Sequence, residues 1–187
     1  MTTLQPGANP CQKLERTVSR PVTLDVFLRS LERLSEEEFV AQFPTPLLVA
    51  DEPEAEDGSE SGFFTEKVKL VEIKRHLTGE ARQVIPMPAD GRWLCVGRSR
   101  INELTFRKRR ISKFHCHLKR DPRTGSFVVV DPGSRNGSTV NGVRLQTDVP
   151  RTLTGGEAIW LAGDARIEFY TASQFYRRYI KSRRKIA

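Results

Sequence analysis

Two hydrophobic rhythms divide the chain. Between residues 24 and 43 apolar side chains recur at spacings of three and four: Leu24, Phe27, Leu28, Leu31 and Leu34, then Phe39, Val40 and Phe43. Such spacing places them along one side of two short helices. Thr23 is positioned to cap the first. Ser35 with Glu38 forms a capping box for the second, Glu36 and Glu37 complement the positive end of its dipole, and Pro44 and Pro46 stop it. Helices this short need a tertiary surface, so the pair is predicted to be a hairpin docked on the rest of the chain.

Beyond residue 65 the rhythm shortens to strands. Runs at 67–73, 83–87, 93–96, 104–106, 114–118, 127–130, 138–140, 143–145, 158–161 and 167–170 are rich in Val, Ile, Leu and Phe and are separated by Gly or Asp-Pro signals. Asn136-Gly137 and Asn141-Gly142 mark two reversals close together, because both residue types tolerate positive φ. So many short strands without intervening helices predict an all-β sandwich of two antiparallel sheets, not an α/β fold. Helix returns at the end, where Ser173 is placed to cap a run holding Phe175, Tyr176, Tyr179 and Ile180, followed by Lys181, Arg183, Arg184 and Lys185.

The predicted organisation is therefore a flexible stretch over 1–21, a short helical segment over 22–46, an acidic linker over 47–64, the β domain over 65–171 and a basic C-terminal helix over 172–187. With 187 residues, 37% hydrophobic and 29% charged, the chain has apolar mass for one globular core plus appended segments. No run approaches the roughly 18 apolar residues a membrane-spanning helix needs, and MTTLQPGANPCQKLER lacks the layout of a secretory signal, so a cytoplasmic location is expected. Cys11, Cys95 and Cys116 form no CxxC, which indicates reduced thiols and neither a disulfide framework nor a zinc module.

Charge changes this picture. The net charge is +8, yet residues 35–66 carry ten acids and no Lys or Arg, so the remainder carries +18. Ten Lys or Arg against two acids lie between Cys95 and Arg123, and six against none between Thr171 and Ala187. An anionic partner is implied.

The residues able to meet an anion lie in three separate pieces: Gly97-Arg98 after a strand, Ser112-Lys113-Phe114-His115 opening another, and Ser134-Arg135-Asn136-Gly137 in a turn-rich loop. In a sandwich such loops gather at one end, where an Arg fork, a hydroxyl, a second Arg and an amide would present charge-assisted donors to a dianion. The succession GR, SxxH and DxGSxNGSxVNG, over roughly residues 66–171, resembles the forkhead-associated (FHA) domain, a phosphothreonine-peptide-binding β-sandwich. Carried over, the resemblance makes Arg98 the phosphate-binding arginine, Ser112 the hydroxyl on a phosphate oxygen, and Asn136 the asparagine that holds the ligand backbone. Arg135 takes the variable loop position that often touches phosphate, and Lys113 stands where another ligand contact commonly falls. His115 would brace the loops, while Gly97, Gly137, Asn141 and Gly142 match turn positions. Two departures stand out: Ser138 replaces a frequent Thr, and Arg107-Lys108-Arg109-Arg110 is unusually basic. Lying just upstream of Ser112, that run, Arg110 in particular, is expected to favour acidic residues C-terminal to the phosphothreonine.

The implied partner is a phosphothreonine protein or peptide in a Ser/Thr kinase pathway, and the organisation resembles bacterial single-FHA adaptors. No cofactor or metal is expected, since His115-Cys116-His117 has no further ligands nearby in sequence. Nor is catalysis expected, because Ser112 near His115 lacks an acidic orienter or nucleophile elbow. Nucleic-acid or other polyanion binding through the basic loop and tail is the main alternative. It is disfavoured because aromatic residues do not interleave with the cations and no helix-turn-helix or RNA-binding signature is present. A phospho-independent scaffold is a further alternative, against which the intact Arg98, Ser112 and Asn136 set argues.

Overall fold

A computed structural model describes residues 22–51 and 82–183. A two-residue strand β1 (Val22–Thr23) precedes α1 (Leu24–Leu31) and α2 (Glu36–Gln42). Strands β2 (Leu47–Asp51), β3 (Arg82–Pro86), β4 (Leu94–Gly97), β5 (Leu104–Thr105), β6 (Cys116–Arg120) and β7 (Phe127–Val130) follow. The chain continues through β8 (Ser138–Val140), β9 (Val143–Arg144), β10 (Arg151–Leu153), β11 (Glu157–Leu161) and β12 (Ala165–Tyr170), and ends in α3 (Ala172–Phe175) and a π-helical turn, Tyr176–Lys181.

The strands form the expected two-sheet sandwich. One sheet has the order β1-β3-β2-β12-β11-β8-β9 and the other β10-β7-β6-β4-β5. Pairing is antiparallel except between β4 and β5, which run parallel with Val96 opposite Leu104. That exception arises because residues 98–103 double back tightly after Gly97, closed by Asn102 N–H on Ser99 O (3.1 Å). Between the sheets lies a core that includes Leu48, Ile85, Leu94, Val96, Phe106, Leu118, Val129, Ile159, Ile167 and Phe169, each at most 1% exposed.

A second core on the outer face of the larger sheet corrects the linker boundary at residue 47. Leu47 and Val49 face it, together with α1, α2, α3 and the π-turn, whereas Leu48 and Ala50 face the inter-sheet core. β2 is thus covered on both sides and pairs with both β12 and β3. A strand buried on both faces shows an unbroken apolar run instead of an alternating one. Residues 52–64 of the acidic segment and the run at 67–73 lie outside the described residues, as do 1–21 and 184–187.

The helices occupy their predicted places with local differences. Ser35 and Glu38 form the full capping box, but Thr23 makes no side-chain cap bond. At the C-terminus the cap is Thr171, paired reciprocally with Gln174, in place of Ser173. Ser173 instead donates its hydroxyl to Glu36 of α2. Aromatic rings lock the three helices together: Phe39 stacks on Phe175 at 5.8 Å, and Phe27 meets Phe175 edge-on at 5.6 Å. The π-turn also places the Tyr179 hydroxyl 2.7 Å from buried Glu168 of β12. Cys116 is a buried free thiol. No described helix is long and apolar enough to cross a membrane.

Candidate functional site

Backbone pairing carries β4 and β6 side by side, so the loops that leave Gly97 and enter Cys116 emerge together. Gly97 is needed there for space: a Cβ would stand 2.4 Å from Lys113 O and 2.9 Å from His115 N. That close approach allows Arg98 N–H to bond Ser112 O at 2.8 Å, Ser99 N–H to bond Lys113 O at 3.1 Å, and His115 N–H to bond Val96 O at 2.8 Å. Asn102, buried behind the loop, donates its amide to both Ser99 O and Lys113 O.

His115 ties the first two loops to the third. It is fully buried, and its Nδ1 accepts the Ser112 backbone N–H at 3.1 Å. An accepting Nδ1 carries no proton, so the neutral ring bears its hydrogen on Nε2, which lies 3.2 Å from both Gly137 O and Ser134 Oγ. Burial holds this imidazole below its ordinary pKa, against the opposing pull of the Gly137 carbonyl and the Asp131 charge. With both ring nitrogens engaged, His115 is a brace and has no free ligand atom for a metal.

The turn-rich loop is organised by Asp131, 3% exposed, to which the sequence reading gave no role. One carboxylate oxygen accepts the N–H groups of Gly133 (3.1 Å) and Ser134 (2.6 Å). The other accepts the hydroxyls of Ser134 (2.8 Å) and Ser138 (2.7 Å). Ser134 Oγ in turn accepts Gly137 N–H at 3.0 Å. An Asp heading a Gly- and Ser-rich turn is itself a sequence signal for such side-chain-to-backbone bonding, and it could have been read.

On this base the segments carrying Arg98, Ser112, Arg135 and Asn136 meet. Ser112 Oγ accepts Arg135 N–H at 3.0 Å, which leaves the hydroxyl hydrogen available to a ligand. Arg98 Nε donates to Ile111 O at 3.2 Å, so the guanidinium lies against the residue preceding Ser112. Asn136 Nδ2 donates to Arg110 O at 2.7 Å. The side chains of Arg98, Lys113 and Arg135 are exposed, and among the described residues no carboxylate pairs with them. Asn141 and Gly142 sit elsewhere, in the turn at the far end of β8. Both have positive φ; the Asn141 N–H donates to Ala158 O and its Oδ1 accepts the Ala158 N–H, each at 2.9 Å. They support the framework and do not line the cradle. Arg110 carries an ion pair to Asp164, 3.5 Å away, in a loop that the sequence reading left out. Chemically, Arg98 and the Ser112 hydroxyl can offer charge-assisted donors to a compact anion, on loops cross-braced by His115 and Asp131 that also carry the exposed Lys113 and Arg135.

Residues 94–162 match the model of the FHA domain family, so this stretch of the chain is an FHA domain. Among solved structures, the chain resembles the MEK1 FHA domain in complex with a HOP1 phosphothreonine peptide (29% identity, covering 47% of this chain and 87% of that one, TM-score 0.41). It also resembles the FHA domain of a hypothetical protein of Arabidopsis thaliana (24% identity, 67% and 86% covered, TM-score 0.47). A third likeness is to the FHA domain of the CT664 protein of Chlamydia trachomatis (16% identity, 67% and 97% covered, TM-score 0.46). No curated protein matches the chain.

Proposed function

We infer that this protein is a phosphothreonine-peptide-binding module acting as an adaptor in Ser/Thr kinase signalling, and not an enzyme. The observation that supports this most is the junction of Arg98 with the Ser112 loop, held by the single buried ring of His115. In this reading Arg98 and Ser112 grip the phosphate, Arg135 and Lys113 add positive charge, and Asn136 orients the extended peptide. A phosphothreonine side chain brings nearly two negative charges at neutral pH, and each charge-assisted bond contributes about 1.5 to 3 kcal/mol. Two or three such bonds, reduced by the cost of ordering a flexible peptide, correspond to micromolar affinity, about 8 kcal/mol. A site that encloses the threonine γ-methyl disfavours phosphoserine by about 0.8 kcal/mol.

An oriented phosphothreonine peptide library tests the reading, with wild-type protein and Arg98→Ala compared at two salt concentrations. Selected peptides should bind the wild type, lose at least about tenfold on Arg98→Ala, and require the phosphate. Failure to select any peptide would replace this reading with a phospho-independent scaffold or polyanion binding, and binding that ignores Arg98 and falls steeply with salt would replace it with polyanion binding.

A further inference from the structure

A fourth loop reaches the cradle, the turn between β11 and β12. Ala162 (φ 54°) and Gly163 (φ 70°) both lie in the left-handed region, and Asp164 N–H closes the turn on Leu161 O at 2.9 Å. Two bonds fix this turn against the site. Ala162 N–H donates to Gly137 O at 2.9 Å, the carbonyl that His115 Nε2 also approaches, and Lys108 Nζ donates to Asp164 O at 2.7 Å. The Asp164 side chain, 26% exposed, then meets Arg110, 65% exposed, at 3.5 Å.

We propose that Asp164 is a specificity-determining residue: a built-in carboxylate that occupies Arg110 and so restrains the cradle's preference for acidic residues beside the phosphothreonine. The proposal rests on the phosphothreonine reading above and deepens it. Three features support it. Asp164 is held by backbone bonds and has a short side chain, so its charge stays in place whether or not peptide is bound. Arg110, by contrast, has a long and mostly exposed side chain. Its backbone carbonyl is anchored separately by Asn136 Nδ2 at 2.7 Å, so the guanidinium can change partner without disturbing the asparagine. The pair is also long and solvent-accessible, the kind of contact an incoming carboxylate can exchange with at little cost. An acidic peptide residue therefore gains only the difference between its own contact with Arg110 and the one Asp164 gives up.

Removing the Asp164 charge should release that restraint. Any general relief of repulsion on the phosphate raises affinity for every phosphopeptide alike. The ratio between an acidic and a neutral peptide cancels it and isolates Arg110. Phosphothreonine peptides identical except for Glu or Ala at each of the four positions after the phosphothreonine are titrated by fluorescence anisotropy against five proteins: wild type, Asp164→Asn, Asp164→Glu, Arg110→Gln and the Asp164→Asn/Arg110→Gln double variant. The Glu-to-Ala affinity ratio should rise about two- to fivefold in Asp164→Asn, remain at the wild-type value in Asp164→Glu, and show no rise in the double variant. An unchanged or lowered ratio in Asp164→Asn, or a rise that persists without Arg110, overturns the proposal. Wild-type protein that binds neither peptide overturns the underlying phosphothreonine reading, and the proposal with it; that result is visible in the wild-type titrations alone.

Discussion

Gly97→Ala adds one methyl group at the point where the cradle is assembled. Its Cβ would start 2.4 Å from the Lys113 carbonyl oxygen, and relief requires the Ser112–His115 segment to retreat until the gap exceeds 3.0 Å. The atoms in the way are backbone, so no side chain can swing aside. A retreat stretches three bonds now at 2.8 to 3.1 Å: Arg98 N–H to Ser112 O, Ser99 N–H to Lys113 O and His115 N–H to Val96 O. Losing two of them costs about 2 kcal/mol, and overpacking adds about 1 to 3 kcal/mol. The total, about 3 to 5 kcal/mol, lowers the melting temperature by roughly 10 °C or more for a domain of this size. Peptide affinity should fall at least about tenfold, because Arg98 and the Ser112 hydroxyl shift relative to one another. Calorimetric unfolding and peptide titration measure both effects. Gly142→Ala is the control: its φ is +82°, but nothing lies within 4 Å of an added Cβ, so it should cost only about 1 kcal/mol and leave binding unchanged. A Gly97→Ala protein that melts within 2 °C of wild type, a shift of at most about 1 kcal/mol, and binds as tightly would refute the steric argument.

Two other measurements probe the supporting groups. Asp131→Ala leaves two hydroxyls and two N–H groups without their buried acceptor. Urea unfolding should show a loss of about 3 kcal/mol, with weakened peptide binding even though Asp131 lies behind the cradle. Acid should also destabilise the fold through His117, a 5% exposed ring meeting Trp93 edge-on at 4.1 Å. Burial first, with help from Lys119 and against the Asp131 charge, pushes its pKa from 6.5 to about 4. The unfolded chain then binds more protons than the native one across that interval. Stability is complete above pH 6.5 and declines as pH falls toward 4, by up to about 3 kcal/mol. His115, shifted in the same direction by burial, adds to the slope. Urea midpoints measured across this range should show His117→Gln with a flatter profile, and an unchanged slope would refute the assignment.

Much of this protein was legible in one dimension because much of it is governed by neighbours a few residues apart. The three-and-four spacing of Leu24, Phe27, Leu28 and Leu31 follows from the pitch of a helix, and the Ser35–Glu38 capping box closes within four residues. Most of the short strands from residue 82 to 170 announced themselves through β-branched runs and Gly or Asn-Gly breaks; β10 (Arg151–Leu153) did not. Arg98, Ser112, Asn136 and His115 were picked out because they lie in short motifs, GR, SxxH and DxGSxNGSxVNG, that carry a family resemblance.

Other features depended on pairing across long separations. β2 became legible only when β12 and β3 closed on its two edges and helices from both ends of the chain covered its outer face. Until then LLVAD had no alternation to distinguish it from the acidic residues beside it. The two-residue β1 and the exposed, polar β10 have too little apolar content to signal themselves, and they are strands because β3 and β7 offer partners. Ser173 looked like a cap, yet Thr171 took the role once β12 fixed where the helix could begin. Nothing near Asp164 in sequence points toward Arg110, which lies more than fifty residues earlier. Local sequence therefore determined which groups this protein could offer to an anion. Which of them stand together, and which carboxylate stands among them, was decided by the closure of two sheets, since only hydrogen bonding between distant strands brings those loops to one end.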